Sequence, residues 1–418
     1  MLKVTLTQRR SWNAANTTLL TGILAFGLVS SVAAHAAPVG NNSTVTPEYF
    51  GLLSQYKAPF PTVPFRSWRT DLAWKLVQPD HDRWDFARSD WFVDQAQKHN
   101  VEVLFILGYI PRWASSTPDK PCGVGAGQCA EPRDLKEWRN YLTTVAEHYK
   151  GKVHYYELWN EPNLAQYYSG SVPGMVRMAQ VASEALKEVD PSIQLISPSP
   201  TGVGGGVRWL DSFLRAGGGK YVDIIGYHFY VHPGPPEGVL RYVQQVRSVM
   251  ASNGVGDKPL WSTEIGWGGV SLGDFWQAAY VARAEVLLRA GGVDRSFWYA
   301  WGVQNQSVRL AKEDGTTPSE AGKAFQVLQD WMIGGVLNSC TSANIPEPKM
   351  SSHGLWTCEL HKDGKLDRII WSAGVNSPFD IPAGWKVKQI GDLQGHYKPV
   401  PETRHIEVGE QPILLTAE

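Results

Sequence analysis

The chain has 418 residues, 43% of them hydrophobic and 19% charged, with 41 glycines and 27 prolines. That composition excludes collagen-like, disordered and coiled-coil classes and describes a globular, loop-rich protein. A formal net charge of -1 provides no electrostatic footprint for nucleic acid or an anionic membrane surface.

Residues 1–36 are expected to be an export signal. Lys3, Arg9 and Arg10 form a basic start, Thr18 to Ala34 is apolar, and Ala34-His35-Ala36 places small residues at a cleavage site near Ala36. An uncleaved anchor is the alternative, which the short apolar run disfavours. No later stretch approaches 18 uninterrupted apolar residues, so the mature chain, periplasmic or secreted, is expected to span no membrane. Cys122, Cys129, Cys340 and Cys358 suit an oxidising compartment. Of the three pairings four cysteines allow, short-loop closure favours Cys122–Cys129 and Cys340–Cys358. Neither pair has the spacing of a structural zinc site, and no metal or cofactor is expected.

From residue 45 to 335 short β-rich runs alternate with helical patterns. The predicted strands are Tyr49–Leu53, Pro64–Arg69, Val101–Leu107, Val153–Trp159, Ile193–Pro198, Val222–Phe229, Pro259–Glu264 and Arg295–Trp301. Helical spacing covers Ala87–His99, Arg133–Tyr149, Met175–Val189, Val239–Ala251, Phe275–Ala290 and Glu320–Met332, with Ser319 as an N-cap for the last. Eight such units predict a parallel (β/α)8 barrel. Residues 338–418 lose the helical period and predict a small antiparallel β-sandwich, with Asp363-Gly364 as a hairpin turn. Thr201–Val207 imitates a dinucleotide fingerprint, but its third glycine position holds Val207, so the segment is read as a loop. His228 and His232 have helical metal-ligand spacing but fall at a strand end, which argues against a metal site.

Two segments carry chemistry. Leu158-Trp159-Asn160-Glu161-Pro162-Asn163 ends the fourth strand, and Ser262-Thr263-Glu264-Ile265-Gly266-Trp267 ends the seventh. In a (β/α)8 barrel the C-terminal strand ends form the active-site face, so Glu161 and Glu264 are expected to face each other there. Glycoside hydrolysis needs such a pair, one carboxyl protonated to assist the leaving oxygen and one ionised to attack the anomeric carbon. Asn160 is placed to hydrogen-bond a sugar 2-hydroxyl. Glu157 lies inside the strand and is expected to hold a salt bridge.

With these motifs, residues 47 to about 335 resemble the (β/α)8 clan of retaining glycosidases whose acids stand on strands four and seven. The two motifs and the trailing β module are most similar to glycoside hydrolase family 39, which includes β-xylosidases, α-L-iduronidases and bacterial biofilm glycosidases. The resemblance implies Glu161 as acid/base and Glu264 as nucleophile. It also implies Arg69 holding the nucleophile ionised, and His228 or Tyr230 bonding the nucleophile or the sugar. Trp301 corresponds to the floor of the cleavage subsite, with Trp113 and Trp267 as further sugar platforms. The long loops after strands three and six, holding Cys122–Cys129 and Pro233–Pro236, are expected to wall the cleft.

The expected function is retaining hydrolysis of a β-linked polysaccharide or oligosaccharide, endo-acting on a cell-surface or biofilm exopolysaccharide. The alternatives are an exo-acting β-xylosidase, an inverting hydrolase and a non-catalytic polysaccharide-binding barrel.

Overall fold

A computed structural model describes residues 43–302, 306–343 and 354–418; the export signal expected at 1–36 lies outside them. Eight parallel strands form one sheet: β1 (Phe50–Leu52), β2 (Ser67–Asp71), β3 (Glu102–Ile106), β4 (Tyr155–Glu157), β5 (Gln194–Ile196), β6 (Ile225–His228), β7 (Leu260–Ile265) and β8 (Arg295–Trp298). Their order is β5-β4-β3-β2-β1-β8-β7-β6. Parallel bridges Ile196–Ile224 and Thr201–His228 join the two ends and close the barrel. Around it run α1 (Trp74–Val77), α2 (Ala87–His99), α3 (Leu135–His148), α4 (Val172–Val189), α5 (Gly205–Arg215), α6 (Gly238–Ser252), α7 (Asp274–Ala290) and α8 (Glu320–Met332). This is the predicted (β/α)8 architecture.

Local chemistry sets several boundaries. Asp134, Ser171 and Ser319 cap α3, α4 and α8 by accepting the backbone N–H of Lys136, Gly174 and Gly322, satisfying donors that a helix start leaves free. Asn100 ends α2 in a left-handed conformation. The barrel interior is plugged by Leu104, Ile196, Ile224, Trp261 and Phe297, so it is a packed core and the usable space lies at its mouth. Helix α5 begins inside Thr201–Val207, the segment read as a loop, and continues through residues assigned to no element. Its Gly204-Gly205-Gly206 start hides the signal, while Leu210, Phe213 and Leu214 form its buried face.

After α8 the chain forms β9 (Val336–Ala343), β10 (Gly354–Lys362), β11 (Lys365–Ala373), β12 (Ser377–Asp380), β13 (Val387–Gly391), β14 (Tyr397–Pro399), β15 (His405–Val408) and β16 (Ile413–Ala417). Six of them form a sheet in the order β14-β13-β16-β11-β10-β9, and β12 pairs with β15. Ile370, Ile381, Val387, Ile390, Val408 and Leu415 fill the space between the layers. At the β10–β11 hairpin, Asp363 and Gly364 have φ of 52° and 75°, the positive values a two-residue primed turn needs. Both favoured disulfides are formed: Cys122–Cys129 closes a loop after β3, and Cys340–Cys358 bridges facing positions of β9 and β10. No helix among the described residues is long and apolar enough to cross a membrane.

Candidate active site

The barrel mouth is organised around Arg69 on β2. Alternation along β2 turns Ser67, Arg69 and Asp71 to one face, and Arg69 reaches across the barrel, fully buried. Its Nε donates to Glu157 Oε2 at 2.6 Å and its Nη1 to Glu264 Oε2 at 2.7 Å. Its Nη2 donates to Asn160 Oδ1 at 2.8 Å and to the ring of His228 at 3.2 Å. Glu157 is the expected salt-bridge partner. Asp71, two residues on along β2, lies 3.5 Å from Arg88.

Glu264 reaches the mouth through an irregularity. The β6–β7 and β7–β8 registers shift around residues 262–265, and such a bulge re-aims a side chain. Thr263 thus bonds Ser199 and Glu157 inside the barrel, while its neighbour Glu264 also faces the site. Both oxygens of Glu264 are held, one by Arg69 and the other by the Tyr230 hydroxyl at 2.6 Å. Burial first, and then the charge of Glu264, push the Tyr230 phenol well above its ordinary value, so it remains a donor.

Glu161 sits one step beyond β4 with φ of 45°, a left-handed conformation that costs a non-glycine residue on the order of 1 kcal/mol. The surrounding backbone imposes it. Glu161 N–H donates to Ser199 O at 2.9 Å and Leu164 N–H to Glu161 O at 3.0 Å. Asn163 exchanges two hydrogen bonds with the Thr201 backbone, at 2.9 and 2.8 Å. The Glu161 carboxylate lies 3.0 Å from His228 Nδ1. Arginine has no lone pair to offer, so His228 Nε2 must accept from Arg69 and Nδ1–H must donate to Glu161. Burial raises the Glu161 pKa, but the hydrogen bond from His228, with Arg69 and Thr201, outweighs it and holds the carboxyl below its ordinary value.

Donor atoms of Glu161, His228 and Glu264 all lie within 4.8 Å of one another. Among the described residues this is the group placed to hold a metal, and it fits one poorly. Both His228 nitrogens are engaged, and Arg69 already sets a fixed positive charge against Glu264. What the group can do is exchange a proton at Glu161 and present an oriented anion at Glu264. Their side chains keep 13% and 15% exposure, whereas Glu157 has none. Both border a cavity of about 660 Å³ shared with Tyr167, Tyr230, Tyr299, Val203, His232 and Gln306.

The three tryptophans expected as platforms are not in the cavity wall. Trp301 lies beyond β8, fully buried, with its indole N–H on Gly315 O at 2.8 Å. Trp267 is fully buried, bonded to Gly234 O at 3.0 Å and stacked on Trp298. Trp113 bonds Gln78 O at 3.1 Å and packs edge-on against Trp74. A large apolar ring with a single donor is best satisfied by burial against one carbonyl. Tyr299, Tyr167 and Tyr230 line the mouth instead. Sequence reasoning missed Tyr299, yet strand alternation pointed to it, since it shares parity with the inward Phe297. Arg69 and His228 are buried beneath the carboxylates and act through them, without exposed surface for a sugar. The Pro233–Pro236 loop adjoins the wall residues Val231 and His232. The disulfide loop backs the wall, with Gly123 N–H on Gln166 O at 3.1 Å, next to Tyr167.

Residues 131–325 match a family model described as glycosyl hydrolase catalytic core, and residues 69–185 match glycosyl hydrolase family 10. A β-xylosidase of Caldicellulosiruptor saccharolyticus is 23% identical over 181 residues, 41% of this chain and 36% of that protein, so the chain matches about a third of its curated relative. A family 39 glycoside hydrolase from the gut symbiont Bacteroides cellulosilyticus WH2 superposes with a TM-score of 0.70 at 21% identity, covering 90% of this chain and 83% of the other. A family 39 β-xylosidase from Caulobacter crescentus does so with a TM-score of 0.62 at 15% identity, covering 90% and 98%. The fold is the (β/α)8 barrel of these glycoside hydrolases, and its matched catalytic-core segment carries both facing carboxylates. In fold the chain is similar to the family 39 enzymes.

Proposed function

We propose that the protein is a retaining hydrolase of β-linked glycans. Glu161 protonates the glycosidic oxygen while Glu264 attacks the anomeric carbon, and Glu161 then takes a proton from the water that releases the sugar. The observation carrying this reading is the approach of Glu161 and Glu264 donor atoms to within 4.8 Å. That is close to the roughly 5–5.5 Å of retaining sites and short of the roughly 6.5–9.5 Å that an inverting water needs. Arg69 and Tyr230 each hold one oxygen of Glu264 and aim the carboxylate, as a nucleophile requires.

The sugar is uncharged or cationic rather than a uronate. Among the described residues the cavity lining holds two carboxylates, His232, tyrosines and small or apolar residues, with no lysine or arginine. Exo action on a β-xyloside is favoured by the β-xylosidase relative and neighbour. Endo action on a cell-surface or biofilm polysaccharide rests on the expected export of the chain, which its two disulfides suit. Digestion of a β-glycan panel separates the two, by release of monosaccharide or of longer fragments. Glu264→Gln should abolish turnover with the fold intact, and proton NMR of the first-formed product should show the starting anomeric configuration. Full activity of that variant, or an inverted product, would refute the assignment.

A further inference from the structure

The C-terminal sheet meets the barrel through a buried polar bridge that ends on the cleft wall. Trp371 of β11 is fully buried, and its indole N–H donates to Glu237 Oε1 at 2.8 Å. Glu237 closes the segment 231–237, in which Val231 and His232 line the cavity. Arg283 of α7 is equally buried. It lies 3.3 Å from that Glu237 oxygen and 2.6 Å from Glu410 Oε2. Glu410 Oε1 in turn accepts the Gly374 N–H at 2.6 Å, just past β11. The next residue, Gln411, donates to Phe275 O at 3.1 Å in the first turn of α7.

The bridge also reaches a second stretch of wall. Trp267 fastens the two by donating to Gly234 O, and Gly268, which lines the cavity, bridges to Gln306, another wall residue. Burying an arginine with two carboxylates is a poor way to glue two apolar surfaces, because desolvation offsets most of the Coulombic gain. What such contacts supply is direction, since each works only at one distance and angle.

We propose that Trp371, Glu237 and Arg283 are positioning residues through which the β-sandwich fixes the segments 231–237 and 267–275. They thereby shape the part of the cleft that receives sugar units beyond the one being cleaved. The proposal rests on the glycosidase reading above and adds to it a role for the C-terminal sheet, recognition of longer β-linked oligosaccharides.

The test uses the full chain. Trp371→Phe keeps an aromatic ring and removes the N–H together with the five-membered half of the indole, and Glu237→Gln keeps an acceptor while losing the charge facing Arg283 and leaves the indole intact. For both, kcat and KM are measured on an aryl β-glycoside and on β-linked oligosaccharides of increasing length, with hydrogen exchange followed in peptides covering 231–237 and 267–275. The expected result is KM raised about fivefold for the longer substrates, as loss of about one net hydrogen bond implies. The aryl glycoside should change by less than about twofold, and exchange should accelerate in those two segments while β3 is unaffected. A rise in KM equal for short and long substrates, or unchanged exchange, would overturn the proposal. If the wild type cleaves no glycan, the glycosidase reading fails by itself and the exchange data still decide whether the sheet braces the wall.

Discussion

His228 donates its Nδ1–H to Glu161 while Arg69 occupies its other ring nitrogen, so the imidazole is locked in one neutral tautomer. Glu161 is thereby held below its ordinary carboxylate range, despite burial, by the donor beside it. Arg69 and Glu264 also face it, as do the phenols of Tyr167 and Tyr230. The first chemical step needs Glu161 protonated, and raising the pH through that lowered pKa removes the proton. The basic limb of the kcat/KM profile should therefore fall early and place the optimum on the acid side. His228→Ala removes the donor and should move this limb upward by about one pH unit, the equivalent of one charge-assisted hydrogen bond. An unmoved limb in that variant would mean His228 does not set the proton affinity of Glu161.

Removing the acid itself should discriminate between substrates. In Glu161→Gln, glycosides with poor leaving groups should lose about 10²–10⁴-fold in kcat/KM, the usual scale of general acid catalysis. Activated nitrophenyl glycosides should lose far less in the glycosylation step. Equal losses on both would assign the acid elsewhere.

Glu285 supplies a pH dependence of stability that is independent of the mouth. Full burial pushes its carboxyl up to about 8, only partly offset by hydrogen bonds from Ser296 and Tyr49. The folded chain thus keeps a proton that the unfolded chain releases near its ordinary value of 4.5. The stabilising contribution is complete below that value and is lost as pH climbs to about 8. Thermal unfolding followed by circular dichroism should show Tm declining across this interval, and Glu285→Gln should flatten the decline.

Opening the Cys122–Cys129 bridge should loosen the backing of Tyr167. Closing so short a loop is worth about 2.5 kcal/mol on the chain-entropy model. The double serine variant should melt earlier and bind substrate more weakly, with kcat less affected than KM. An unchanged KM would show that the loop does not support the wall.

Much of the barrel and both carboxylates could be read from sequence because each signal was local. Apolar runs alternating with amphipathic ones gave the strands, and Asn160-Glu161-Pro162 and Thr263-Glu264 stood at strand ends. What was hidden depended on three-dimensional detail. The bulge that turns Thr263 and Glu264 inward together leaves no trace in residue type. The fate of Trp301, Trp267 and Trp113 was decided by whether a carbonyl stood near each indole, at Gly315, Gly234 and Gln78. Strand β9 went unread because its second half, Ser339-Cys340-Thr341-Ser342-Ala343, holds no large apolar residue, and α5 because three glycines preface it.

The left-handed backbone at Glu161 means that this position trades durability for reactivity. Any side chain there resists its own main-chain geometry, and glycine alone would be comfortable. Glu161→Gly should yield a dead protein with no gain in heat resistance, because the strain it relieves, on the order of 1 kcal/mol, is offset by the buried His228 N–H left without its acceptor.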